Sequence, residues 1–412
     1  MKKPELLLPA GSLPVLKTAV RFGADAVYIG GELFSLRAKA ANFSNAEMKE
    51  AIEYCHAHGV HLYVTANITA HNGHLEGVKK YFGELAEMKP DALIISDPGV
   101  FRLARAYCPD IPVHISTQAN NVNSETFLFW YEQGVRRVVC GRELSLEEIK
   151  AIKDAIPEDM EIEAFVHGSM CISYSGRCLL SAFMTGRDAN LGACTHPCRW
   201  KYALMEETRP GEYFPVMENE NGTFIFNSKD LSMIDHIPDL ISAGIDSFKV
   251  EGRMKTALYV ATVGKAYRTA IDAYYDGTYD DSDRLSELHD LIKLSGGRKE
   301  TTGFFYGKPG SDAQLYEGDA GVRLGVYYGE IEEAFPDGTC TFTQKNKFCT
   351  GDTVIILSPD KKLTNAVVLN MWNESGEEIP SCPHPKQKIR ILCDTAPSVG
   401  DILCGLGEGD QE

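Results

Sequence analysis

Apolar and polar positions along the first two thirds of the chain follow two periods that replace one another in turn. Short apolar runs of strand length, ELLLPA at 5–10 and DAVYIGG at 25–31, bracket SLPVLKTAVRFG, where Leu13, Val15, Leu16 and Val20 share a helical face and Gly23 supplies a stop. The unit then recurs. NAEMKEAIEYCHAHG precedes VHLYVTANI, HLEGVKKYFGELAEM precedes DALIIS, GVFRLARAYC precedes IPVHIST, NSETFLFWYEQG precedes RRVVCG, and SLEEIKAIKDAI precedes EIEAFVHG. After an interruption SMIDHIPDLISAG precedes DSFKVEG, and ALYVATVGKAYRTAIDAYY ends the series. Eight strands alternating with amphipathic helices predict an α/β fold, a closed (β/α)8 TIM-like barrel with right-handed crossovers and all helices outside. No GxGxxG follows the first strand, which removes support from an open nucleotide-binding sheet.

Between the seventh and eighth strands the alternation fails over roughly 168–228, far longer than an ordinary βα loop. The barrel with this insertion is assigned to 1–275. Residues 276–315, punctuated by glycine and proline and ending near TTGFFYGKP, read as a connecting segment. From 316 to 412 the runs GTCTFTQ, GDTVIILS, TNAVVLNMW and QKIRILCD are short and β-rich, which predicts a small antiparallel β-barrel domain.

A hydrophobic content of 44% suffices for a large core, and no apolar run reaches the length of a membrane span. The net charge of −17 excludes general salt-driven affinity for nucleic acid and leaves only a local patch for such contact. Lys345 with Lys347, and Lys386, Lys388 and Arg390, are two basic spots that read first as solvated surface. Met1 is followed by two lysines and an apolar run too short for a signal peptide, so a cytoplasmic chain is expected.

Four of the twelve cysteines change the picture. Cys171, Cys178, Cys194 and Cys198 fall in one stretch interleaved with Gly168, Gly176, Gly192 and Pro197, whereas the other eight are isolated and read as small buried hydrophobes. In a reducing compartment ligation of a metal or cluster is favoured over disulfides. Only Cys194 and Cys198 have zinc-type spacing, and the wider gap from Cys171 to Cys178 leans toward iron–sulfur; spacing alone leaves the metal open. Because this insertion follows a barrel strand, it should lie over the barrel mouth, where barrel enzymes do their chemistry.

Asn67, Gln118, Arg142, Glu143, His167, Lys249, Glu251 and Arg253 all stand at or just after a strand, so a barrel would bring them to one pocket. Each alone reads equally as a loop residue satisfied by water or a helix cap. Together, with three cations in Arg142, Lys249 and Arg253, they suit a carboxylate-bearing small molecule or a phosphate. His167 is the candidate catalytic proton donor, with a hydrogen-bonded structural histidine as the alternative.

The segments ELLLPAGSLPVLKTAVRFGADAVYIGG, FSLRAKAANFS, HISTQAN, EAFVHGSMCISYSGRCLLS, FKVEGRMK and NKFCTGD resemble the collagenase-like proteins catalogued as peptidase family U32, along nearly the whole chain. The C-terminal β domain makes the chain most similar to members that act on transfer RNA. The resemblance implies oxygen-independent hydroxylation of tRNA wobble uridine to 5-hydroxyuridine, of a ribosomal RNA cytidine, or of a ubiquinone precursor. It implies a [4Fe-4S] cluster held by Cys171, Cys178, Cys194 and Cys198, and prephenate as co-substrate. Arg142, Lys249 and Arg253 are then the expected site for its two carboxylates, with Asn67, Gln118 and Glu251 beside them. The catalogue name keeps a peptidase as the competing expectation, yet no HExxH, GxSxG or papain-like motif occurs, and only a Cys171–His167 dyad is left to serve it. A zinc-stapled binding module without catalysis is the third.

Overall fold

A computed structural model describes residues 2–36, 42–171, 173, 178–200, 229–309, 325–384 and 386–407, with the backbone of four two-residue strands between 204 and 223. The barrel strands are β1 (Glu5–Pro9), β2 (Ala26–Gly30), β3 (His61–Ala66), β4 (Ala92–Ile95), β5 (Val113–Ile115), β6 (Arg137–Val139), β7 (Glu161–Ser169) and β8 (Ser247–Val250). They pair in parallel in sequence order, and β8 pairs with both β7 and β1, which closes the ring. The predicted eight-stranded barrel is therefore the observed one.

Local chemistry sets the helix starts. Ser44 and Ser145 each accept from the third helical N–H of α2 (Asn45–Ala57) and α6 (Leu146–Ala155), while Glu47 and Glu148 return the bond to the cap backbone. Asp97 caps α4 (Pro98–Tyr107), whose first residue is proline, where a missing N–H is harmless. The long helix α9 (Ala257–Asp276) is buried on nearly every face because barrel and neighbours enclose it. Part of that cover is α10 (Ser282–Ser295), inside the segment read as a connector; Leu288, Leu291, Ile292 and Leu294 form its buried stripe.

The chain between β7 and β8 departs from simple alternation at one further point. Asp230–Ser232 adds an antiparallel strand to the end of β7, with Leu231 opposite Gly168 and Ser232 opposite His167. On its other side β7 carries a bulge: Lys249 faces Phe165, but Val250 faces His167. One extra residue reverses the in–out alternation of a strand.

The C-terminal domain is a seven-stranded antiparallel sheet built from β9 (Gly325–Glu330), β10 (Glu333–Ala334), β11 (Thr339–Thr343), β12 (Thr353–Leu357), β13 (Thr364–Trp372), β14 (Lys388–Cys393) and β15 (Ile402–Leu406), in the order β9-β15-β12-β13-β14-β11-β10. The sheet curls until Lys345 N–H donates to Tyr328 O at 2.8 Å, around a core that includes Phe342, Phe348, Val368 and Ile391. It is tied to the barrel. Lys265 of α9, 5% exposed, donates from Nζ to Ser358 O at 2.7 Å and to Lys361 O, Arg21 pairs with Glu330 at 2.7 Å, and Leu357, Ile402 and Cys404 join the main core.

Candidate functional site

At the C-terminal end of the barrel, strand ends surround a cavity of about 60 Å³. Asn67, Gln118, Arg142, Lys249, Glu251 and Arg253 all line it, so the structure brings together the six residues read as substrate-binding. Their spacing in sequence spans the whole barrel, and closure of the sheet alone makes them neighbours. Tyr28, Thr65, Ser116 and Phe165 are among the other residues of the wall. These four lack an individual sequence signal, since an aromatic or a hydroxyl in a strand is ordinary.

The three cations are held in different ways. Lys249, 3% exposed, donates to Glu163 Oε1 at 2.6 Å and lies 4.6 Å from the centre of the Tyr28 ring. Arg142 spans the rim: Nη1 donates to Ser169 O at 3.0 Å, Nη2 to Glu251 Oε2 at 3.1 Å, and the guanidinium lies 3.9 Å from the Phe165 ring centre. Arg253, 6% exposed, donates from Nη1 to the hydroxyls of Ser35 at 2.6 Å and Thr65 at 3.2 Å. Gly30 makes this approach feasible, because a Cβ there would overlap Arg253 Nη1. Two of the three cations face carboxylates, so the cavity combines positive charge with fixed hydrogen-bonding groups of both signs.

Below the cavity an apolar layer of Leu7, Ala26, Tyr28, Tyr63, Ala92 and Ile94 fills the barrel. Beneath it lies a charged network that sequence reasoning missed. Arg137 bonds Glu5 Oε1 at 2.5 Å and Glu161 Oε2 at 2.7 Å, and stands 3.7 Å from Glu163 Oε2. Tyr63 and Ser247 hydroxyls donate to Glu5 at 2.7 and 2.9 Å. Glu163 is fully buried and bridges this network to Lys249 at the cavity floor. Charged residues at alternate positions of ELLLP, RVV and EIEAF were the available signal; in a half-exposed sheet they would face water, but in a barrel they face the interior.

His167 and Glu143 are not among the residues lining the cavity. The bulge in β7 turns His167 outward, where its ring packs against Tyr259 and Tyr267 of α9 at 6.0 and 5.6 Å between centroids. Burial, aided by the Lys255 charge, pushes its pKa down to about 3, so it is neutral at ordinary pH. That setting is a packed structural histidine, the alternative given by the sequence. Cys171 is exposed while His167 is 5% exposed, which gives the imagined dyad no shared environment.

The cysteine block sits beside the mouth. Thr69 N–H, two residues beyond Asn67, donates to Asn190 O at 3.0 Å, and Asn190 Nδ2 donates to Cys178 O at 3.2 Å. Ser181 of α7 (Leu180–Thr185), fully buried, accepts from Thr195 N–H at 3.1 Å, which joins the Cys178 and Cys194 segments. None of the four cysteines is in a disulfide, none is buried, and Cys194 Sγ accepts from His196 N–H at 3.4 Å. Reduced thiols outside the core, with an N–H aimed at one sulfur, match the chemistry of a thiolate-held cluster. Among the described residues no three His, Cys, Asp or Glu side chains are already arranged to hold a metal ion. The donor set fits such a group; the gathering of its sulfurs is not preformed.

Comparison with known proteins supplies the kinship. The tRNA hydroxylation protein P1 of Bacillus subtilis is 40% identical over 95% of this chain and 92% of its own length. The tRNA hydroxylation protein P of Escherichia coli is 38% identical over 93% of this chain and 92% of its own. The 23S rRNA 5-hydroxycytidine C2501 synthase of Escherichia coli is 34% identical over 79% of this chain and 46% of its own. The model of peptidase family U32 matches residues 11–315 and that of the family's C-terminal domain residues 325–403, and on those matches this chain belongs to peptidase family U32.

Proposed function

We propose that this protein is an RNA hydroxylase acting on transfer RNA, forming 5-hydroxyuridine at the wobble position with an iron–sulfur cluster and prephenate. The observation that carries the reading is the convergence of Arg142, Lys249 and Arg253 on one cavity, with the cysteine block hydrogen-bonded to its edge. Similarity to two tRNA hydroxylation proteins over more than nine tenths of the chain points the same way.

The residues divide the work by position. Arg142 and Arg253 at the rim and Lys249 at the floor would take the two carboxylates of the acid, since guanidinium pairs with carboxylate in bidentate fashion. Asn67 and Gln118 add amide donors and acceptors at the wall. Burial of Lys249 and Arg253 strengthens each of these contacts by excluding water. Cys171, Cys178, Cys194 and Cys198 would hold the [4Fe-4S] cluster, which supplies one-electron chemistry when bound. A wobble uridine in a single-stranded loop reaches such a mouth without the unpairing a duplex requires. A peptidase reading gains nothing from His167, which faces α9 and not the cavity.

The test is mass spectrometry of tRNA nucleosides from a strain lacking the gene and any paralogue. Loss of 5-hydroxyuridine derivatives, restored by the wild-type gene and not by Cys194→Ala, is expected. Unchanged derivatives refute the assignment. Protein purified without oxygen should be brown, with iron and sulfide that fall in Cys194→Ala; a colourless zinc protein would refute the cluster.

A further inference from the structure

Exposed large apolar side chains occur singly over much of the described chain, but four gather in one block. Leu179 is 70% exposed, Phe183 86%, Met184 40% and Trp200 40%, and all four lie in the cysteine block. Water-facing aromatics of this size, grouped on one segment, mark an interaction surface. The group is built and not a frayed end. Trp200 Nε1 donates to Thr195 O at 3.2 Å, and Thr195 in turn bonds Ser181 and Thr185 of the same short helix that carries Phe183. Through Asn190 the block is joined to Thr69 and so to the cavity edge at Asn67.

Charge selects the partner. Between Cys171 and Lys201 the sequence carries Arg177, Arg187, Arg199 and Lys201 against Asp188 alone, within a chain of net charge −17. A basic, aromatic segment at the mouth of an acidic protein is complementary to a polyanion that offers flat faces. A second copy docked patch to patch would set these basic residues against one another. We infer that Phe183 and Trp200 form a stacking platform for unpaired bases flanking the target nucleotide of an RNA loop, with the exposed Arg187 holding its backbone. The inference rests on the RNA reading above and adds to it the surface that receives the loop. Stacking on aromatic side chains with cations along the backbone is the general mode for single strands.

The experiment is fluorescence anisotropy of the full-length protein with an anticodon-type stem-loop RNA and with a blunt duplex of the same stem. Phe183→Ala should weaken loop binding by about 5- to 150-fold, the range of one base stack on an aromatic ring. Phe183→Tyr should bind like wild type, whereas Phe183→Leu, apolar without a ring, should bind like Phe183→Ala. Arg187→Ala should lower the salt slope by about 0.7, one phosphate's share on a single strand. With the ring mostly in water, the thermal midpoint should not move in the Phe183 variants. Wild-type failure to bind the stem-loop overturns the RNA reading itself. Wild-type binding with unaltered affinity in Phe183→Ala overturns the platform alone, and full binding by Phe183→Leu overturns ring stacking as its mode of contact.

Discussion

Replacing Lys249 by methionine tests the idea that the cavity floor depends on a buried charge pair. At 2.6 Å the Lys249–Glu163 attraction is about 6 kcal/mol in an effective dielectric of 20, and withdrawing both ions from water offsets most of it. Removing only the lysine leaves the fully buried Glu163 with Arg137 at 3.7 Å as its nearest cation, a residual attraction of about 4 kcal/mol already shared with Glu5 and Glu161. Lys249→Met should therefore destabilise the protein by about 3 kcal/mol, the lower end of the cost of orphaning a buried charge. The double variant Glu163→Leu with Lys249→Met removes both ions and should recover to within about 1–2 kcal/mol of wild type. Urea unfolding of the four proteins completes the cycle. A Lys249→Met loss under about 1 kcal/mol, or strictly additive single losses, refutes the reasoning.

Stability should also fall with pH in a defined window. Burial holds His167 at about 3 and His114 well below the usual histidine value, so the unfolded chain binds more protons from about pH 6.5 downward. Stability is thus full above that pH and drops by up to about 1.4 kcal/mol per pH unit for each histidine as pH falls, and His167→Gln should flatten the slope in urea melts between pH 6.5 and 4.5. Gly30→Ala places a methyl group against Arg253 Nη1, which can shift only by loosening its bonds to Ser35 and Thr65, so the fold should survive with a loss of about 1–3 kcal/mol. Calorimetric titration with a dicarboxylate should show affinity lowered by roughly tenfold, and unchanged affinity would remove Arg253 from the binding set. Ser181→Ala cuts the tie to Thr195, and iron content after anaerobic reconstitution should fall although no cysteine is touched; full loading would show the tie to be dispensable.

Much of this was legible in the sequence because a parallel barrel converts order along the chain into order around a ring. Asn67, Gln118, Arg142, Glu251 and Arg253 follow strands, Lys249 stands near the end of one, and strand ends meet at the mouth. His167 also stands near the end of a strand, but a one-residue bulge with no composition of its own turned it outward. The network of Glu5, Arg137 and Glu163 was hidden for a different reason. Acidic and basic residues inside apolar runs look like solvent-facing positions until the sheet is known to close. In α10 the acidic exposed face and the nearby Gly–Gly at 296–297 concealed a buried leucine stripe.

The salt-bridged floor beneath Leu7 and Tyr63 stops the barrel at its far end. Among the described residues this leaves the mouth as the doorway that reactants and spent acid would share under the proposed function. An RNA loop seated over that opening would trap whatever is inside, so on that reading the small acid would have to arrive first, and its remnant would depart only once the loop lifts. Turnover under excess RNA should then slow instead of saturating.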